Sequence, residues 1–204
     1  APGPMMAARD NFEILVQGRG SHAAMPHQGV DPVVVGAHMV LALQTITSRN
    51  INPQESLVVS VTQFHAGEAF NIIPDTVMLK GTCRVFNNEL QGTLPDRIQR
   101  IVDGVSSTFG AKSELTYHKG YPATINAEPQ SKFCADVAKE IAGSENGVDL
   151  KPVPSMGAED FSYMLQKRPG CYIWAGNGDS AGLHHPEYDF NDQLLAVGAS
   201  YWSR

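Results

Sequence analysis

Apolar positions in residues 11–118 switch between two periods. Phe12 to Gly18 reads as a strand ending in glycine. Asp31-Pro32 then offers an N-cap followed by proline at the first helical position. Val33, Ala37, Val40, Leu41 and Ile46 recur at near-helical spacing, which predicts an amphipathic helix over 32–48. Two β-branched runs, Leu57–Phe64 and Thr76–Phe86, predict strands, with a turn or loop from Gly67 to Pro74. Leu94, Ile98, Ile101, Val102, Val105 and Phe109 return to the helical period, and Gly110 supplies a stop. Ala111 to Tyr117 predicts the last strand. The order β-α-β-β-α-β is the split pattern of a ferredoxin-like sandwich. Such a sandwich has a four-stranded antiparallel sheet with both helices on one face. The other face, or an edge strand, is left for a partner.

The pattern changes after Gly120–Asn126. Phe133, Val137 and Ile141 mark a helix closed by Gly143, and Ala158–Lys167 predicts another. Gly170–Gly176 reads as a buried strand and Asp192–Trp202 as a terminal helix. So few strands cannot form a sheet covered on both faces. Residues 1–10 and 119–204 therefore predict the C-terminal portion of a larger α/β domain. The expected class is α/β in the α+β sense: a ferredoxin-like unit over 11–118 plus a partial α/β domain.

Composition narrows the function classes. At 204 residues the chain has room for one large domain or two small ones. Its 42% hydrophobic and 18% charged residues are those of an ordinary globular protein. A net charge of -6 without any basic run argues against nucleic acid as a partner. Its apolar stretches are too short to span a membrane. Cys83, Cys134 and Cys171 are odd in number, widely spaced and without a C-x-x-C pair. They read as small buried hydrophobes in a reducing, cytoplasmic setting. The start at Ala1-Pro2-Gly3-Pro4, with no initiator Met, raises the expectation of a piece of a longer protein.

Candidate chemistry sits in two histidine-bearing segments. His184 and His185 lie in the polar stretch Gly182–Asp192, and His22 lies in the glycine-rich stretch Gly18–Pro26. Neutral imidazole is a common ligand of zinc-like divalent metals. Each segment alone reads equally well as a solvated loop, but together they suggest a metal-dependent hydrolase.

Six strings in order carry a more specific likeness. They are Gly18–Pro26, His27–Pro32, Phe64–Asp75, Gly81–Arg84, Ser155–Phe161 and Leu183–Asp192. On these the chain resembles the dinuclear metallopeptidase-like amidohydrolases, a family that includes hippurate hydrolases, N-acyl-amino-acid amidohydrolases and auxin-conjugate hydrolases. The resemblance implies a catalytic α/β domain holding two divalent metals per site (zinc, manganese, cobalt or nickel). It also implies a ferredoxin-like lid through which two copies form a homodimer. The substrate it implies is a small N-acyl amino acid or peptide-like amide. The family's histidine and Glu-Glu motifs that precede the lid have no counterpart here.

Residue by residue, the resemblance makes His184 a metal ligand. It makes His22 the catalytic group that stabilises an oxyanion in the partner's site, and it gives Asn71 and Arg84 the substrate's carboxylate. Glu159 and Asp160 would orient a metal ligand or line the pocket, though acids there also suit a helix N-terminus. The expected activity is metal-dependent amide hydrolysis by the intact protein. The alternative for this chain is a non-catalytic dimerisation or binding fragment.

Overall fold

A computed structural model describes residues 1–143 and 147–204. Its first half runs β1 (Gly3–Met6), β2 (Ala8–Gln17), β3 (Ser21–His22), α1 (Pro32–Arg49), β4 (Leu57–Ala66), β5 (Ile72–Ile73) and β6 (Thr76–Val85). The remainder runs α2 (Asn88–Phe109), β7 (Lys112–Lys119), β8 (Thr124–Asn126), α3 (Glu128–Ala142), α4 (Phe161–Lys167) and α5 (Gln193–Trp202).

The expected sheet is present. Its order is β4–β6–β2–β7 and every neighbouring pair is antiparallel. Alternation on the central strands decides which face is covered. Ala8, Phe12, Ile14 and Val16 of β2 and Val77, Leu79, Cys83 and Val85 of β6 are buried. They pack against Val35, Met39, Leu43 and Ile46 of α1 and Leu94, Ile98 and Val102 of α2. Burying each large side chain is worth about 1.5–3 kcal/mol, so this one core dominates the stability of the unit. Gly81 faces Phe12 across β6 and β2. A Cβ there would lie 2.2 Å from Cζ of Phe12, so the missing side chain makes room for the ring.

Helix boundaries follow local chemistry. Asp31 caps α1 by accepting from the Val33 N–H at 2.8 Å. Asn87 caps α2 by accepting from Glu89 and Leu90 N–H. That cap starts α2 six residues before the apolar stripe at Leu94, and the helix runs through Pro95. Gly110 and Gly143 take left-handed conformations at the ends of α2 and α3, as the sequence suggested.

Buried Asp10 was not singled out by the sequence pattern. Its carboxylate accepts from Gln91 Nε2 at 2.8 Å, Gly120 N–H at 2.8 Å and Tyr117 Oη at 2.6 Å. It thereby ties β2 to α2 and to the segment that leaves β7. Burial and the Asp10 carboxylate both push the Tyr117 phenol up from its ordinary value.

Three expectations are corrected. Gly170–Gly176 is not a buried strand: it joins no ladder, and Ile173 and Trp174 are exposed. The Asn126 amide takes the place of a strand partner, accepting from Tyr172 N–H at 2.7 Å and donating to Tyr172 O at 2.9 Å. The helix expected from Ala158 begins at Phe161, because Gly157 and Ala158 belong to a loop lying along β1 and β2. In that loop Ser155 O and Gly157 O both accept from Ala7 N–H. Gly67–Pro74 is not wholly loop, since Ile72–Ile73 pairs with Ser21–His22. A small sheet of β1 with β8 was also not foreseen, since Gly3-Pro4 carries little strand propensity.

Candidate functional site

The stretch from Gly18 to Val30 is a packed ribbon. Arg19 and Val30 exchange two backbone hydrogen bonds of 2.9 Å. The Asp75 carboxylate accepts from Gly20 N–H at 2.7 Å, and Asp75 O accepts from Gly18 N–H at 2.8 Å. The glycines serve close approach: a Cβ on Gly18 would lie 2.1 Å from Val30 O. Neither Gly18 nor Gly20 has a positive φ, so these glycines serve backbone packing and not a left-handed turn. Asp75 is the residue that sequence reasoning passed over here. Its signal was a carboxylate directly after Ile73-Pro74, placed to reach a facing backbone N–H.

This ribbon presents His22. Its Nδ1 accepts from the Ala24 N–H at 3.1 Å, so a neutral ring carries its proton on Nε2. The residue is exposed, and Nε2–H is left to donate outward. Asn71 stands beside it: Ala23 N–H donates to Asn71 O at 3.0 Å, and His22 pairs with Ile72. The structure brings His22 and Asn71 together.

Arg84 is elsewhere. It lies near the far end of β6, and Thr76 to Arg84 spans roughly 26 Å at the rise of an extended strand. Its guanidinium donates to Thr82 Oγ1 and, at 2.9 Å, to Cys83 O. Partial burial pushes its pKa down, and neighbouring Arg9 adds to that. Within one chain Asn71 and Arg84 do not converge on a common point.

His184 has φ 67°, the one positive value outside glycine among the described residues. A non-glycine residue in this region costs of order 1–3 kcal/mol and persists only where its surroundings hold it. Here the holding comes from Gly182 O, which accepts from His185 N–H at 3.1 Å, and from side chains that close the loop. Asn177 Nδ2 donates to Asp189 O at 2.6 Å, and Asn177 Oδ1 accepts from Asn191 N–H at 2.8 Å. The His184 ring is exposed and has no hydrogen bond among the described residues. His185 differs, because its Nδ1 accepts from Glu187 N–H at 3.1 Å.

Glu159 is engaged, accepting from Asp160 N–H at 3.0 Å and Tyr172 Oη at 3.3 Å. Burial and the nearby Glu159 push the Tyr172 phenol up. Asp160 precedes α4 but its side chain makes no capping bond. Among the described residues no three His, Cys, Asp or Glu side chains converge where a metal could sit. Zinc sites take about four donors, so the described residues do not by themselves build a metal centre.

The model of the peptidase family M20/M25/M40 matches residues 20–204. The chain belongs to this family. It is 36% identical over 202 residues to the hippurate hydrolase of Campylobacter jejuni, covering 99% of this chain and 52% of that protein. It is 35% identical over 200 residues to the N-acetyl-L-cysteine deacetylase of Bacillus subtilis, covering 98% and 47%. An IAA-amino acid hydrolase of Arabidopsis thaliana is 33% identical over 207 residues, covering 97% and 47%. The chain thus spans about half the length of these relatives. A solved structure from methicillin-resistant Staphylococcus aureus superposes with a TM-score of 0.87 at 31% identity, covering 99% of this chain and 52% of that one. A Bacillus subtilis structure described as a dinuclear metal-binding peptidase of the M20 family gives 0.75 at 28% identity, covering 100% and 50%. The likeness of fold bears out the α/β expectation. Among the described residues no helix is long and apolar enough to cross a membrane.

Proposed function

We propose that this M20/M25/M40 family chain serves hydrolysis of the amide bond of N-acyl amino acids, within an enzyme longer than these residues. The observation that carries this reading is the ribbon holding His22 beside Asn71. A fixed Nε2–H donor on packed backbone suits an oxyanion that forms only near the transition state. Asn71 and Arg84 are assigned the substrate's free carboxylate, which a planar guanidinium can hold through two parallel bonds. Since the two lie far apart in one chain, the grip needs His22 and Asn71 from one copy and Arg84 from another. A homodimer through the βαββαβ lid, residues 11–118, meets that need, and twofold pairs are the commonest assembly.

His184 is assigned as one ligand of a divalent metal whose other ligands lie outside this chain. Its strained backbone and unengaged ring support that role. Residues outside the βαββαβ unit would then form part of the catalytic α/β domain. Apolar side chains such as Val153, Met164, Leu183 and Trp202, each over 60% exposed, would be covered by the rest of it. A cytoplasmic location belongs to the same proposal and rests on the cysteine pattern.

The test is hydrolysis of an N-acyl amino acid and of its methyl ester by the full-length enzyme. The acid is expected to be cleaved with the higher kcat/KM. Equal handling of the ester removes the carboxylate grip. The lack of a converging donor set among the described residues favours a second reading for the chain alone, a dimerisation or binding module without catalysis. Tight stoichiometric binding of two zinc ions to the isolated chain would rule that reading out.

A further inference from the structure

The outer face of the sheet follows a charge rule at one place and breaks it at another. Glu13 of β2 faces Lys80 of β6 with 3.0 Å between the charged atoms, and His118 of β7 stands 4.0 Å from the same carboxylate. Four residues away along β2, Arg9 faces Arg84 directly on the same two strands. Facing side chains have Cβ atoms about 4.5–5.5 Å apart, and like charges there are destabilising. Among the described residues no carboxylate forms an ion pair with either guanidinium. Among the described residues the exposed Arg9 side chain has no hydrogen-bond or ion-pair partner. The Arg84 guanidinium reaches only Thr82 and Cys83. Asp10 is adjacent but buried on the opposite face, its carboxylate committed to Gln91, Tyr117 and Gly120. Partial burial pushes the Arg84 pKa down and the Arg9 charge adds to that, while Cys83 and Asp10 offset part of it.

We propose that Arg9 is a further substrate-binding residue that pairs with Arg84 to select N-acyl amino acids carrying a second carboxylate. This rests on the proposed carboxylate grip. Arg84 satisfies one carboxylate bidentately, which leaves the Arg9 charge unbalanced. A diacid balances both charges. It also turns a repulsive pair into two charge-assisted contacts. A substrate with an amide or apolar side chain balances only one.

The test uses N-acetyl-L-glutamate and N-acetyl-L-glutamine, which differ only in the second carboxylate. Binding to the 204-residue chain is followed by NMR through the Arg9 and Arg84 Nε–H signals. The glutamate derivative is expected to bind about tenfold more tightly, the scale of one charge-assisted bond at a partly exposed site. Arg9→Gln should reduce that preference to less than twofold, with the Arg84 signal still moving. Raising the salt concentration should shrink the preference in the unmodified chain. Equal affinity for both ligands, unchanged by Arg9→Gln, overturns the role of Arg9 and leaves the Arg84 grip standing. No movement of the Arg84 signal with either ligand overturns both.

Discussion

Removing the Asp10 carboxylate should cost more than any other single truncation outside the apolar core. Three donors end on it: Gln91 Nε2, Tyr117 Oη and Gly120 N–H, at 2.6–2.8 Å. In Asp10→Ala each loses its acceptor at a buried or half-buried position. An unpaired buried donor costs about 1–3 kcal/mol. Three of them give a gross loss of roughly 3–9 kcal/mol, offset by no longer burying a carboxylate, a penalty of several kcal/mol. We expect a net loss of about 3–5 kcal/mol, near the upper end for single substitutions. Tyr117→Phe removes one donor and should cost about 1.5–3 kcal/mol. The double variant should then show a coupling of at least about 1 kcal/mol, because the two residues share a bond. Urea unfolding at neutral pH, followed by circular dichroism, measures all four corners of this cycle. A loss below about 1 kcal/mol for Asp10→Ala, or additivity within about 0.5 kcal/mol, would refute the idea of a carboxylate hub.

Gly18→Ala places a methyl 2.1 Å from Val30 O and 2.9 Å from Cδ of Pro32. It should break the Arg19–Val30 bridge and cost about 2–4 kcal/mol by thermal or urea unfolding. A change within about 0.5 kcal/mol would show that the ribbon is not tightly packed. Burial, and secondarily the Asp10 charge, push the Cys83 thiol from an ordinary value of 9.0 up to about 12. Its contribution to stability is therefore complete below about pH 9 and lost as pH rises towards about 12, with Tyr117 acting in the same direction. Cys83→Ala should flatten the fall in Tm across that window, and an unchanged slope would remove Cys83 as its cause. In the full-length enzyme Arg84→Ala should mainly raise KM, since a carboxylate is charged before and during reaction. His22→Ala should mainly lower kcat, by about 10²–10³. The opposite split would reverse the two assignments.

Periodicity made the four long strands and two long helices legible because they share one continuous apolar core. Segments that are not built on apolar alternation stayed hidden. The ribbon of Ser21–His22 with Ile72–Ile73 is held by backbone bonds and an Asp75 carboxylate, which leave no periodic trace. Gly170–Gly176 misled for the opposite reason: its apolar run suits a strand, but Gly170 O accepts from Ala127 N–H and the Tyr172 backbone bonds the Asn126 amide, with no ladder along it. The candidate residues were found as strings, and their grouping was not. That His22 and Asn71 sit together while Arg84 lies at the other end of β6 depends on hairpin geometry, which the strings do not encode. The facing of Arg9 and Arg84 is set by strand register, also invisible until the sheet is seen.

In the proposed dimer one copy's His22 and Asn71 meet another copy's Arg84 over one substrate. Mixing two impaired variants of the full-length enzyme, His22→Ala and Arg84→Ala, probes that arrangement. The two would be co-expressed and assayed on an N-acyl amino acid below its KM. Random pairing makes half the dimers mixed, and each mixed dimer would hold one site with both groups intact. Activity should rise to about a quarter of wild type, far above either variant alone. No recovery above the average of the two separate variants would mean that His22 and Arg84 serve the same site from the same chain, which contradicts the proposed dimer site.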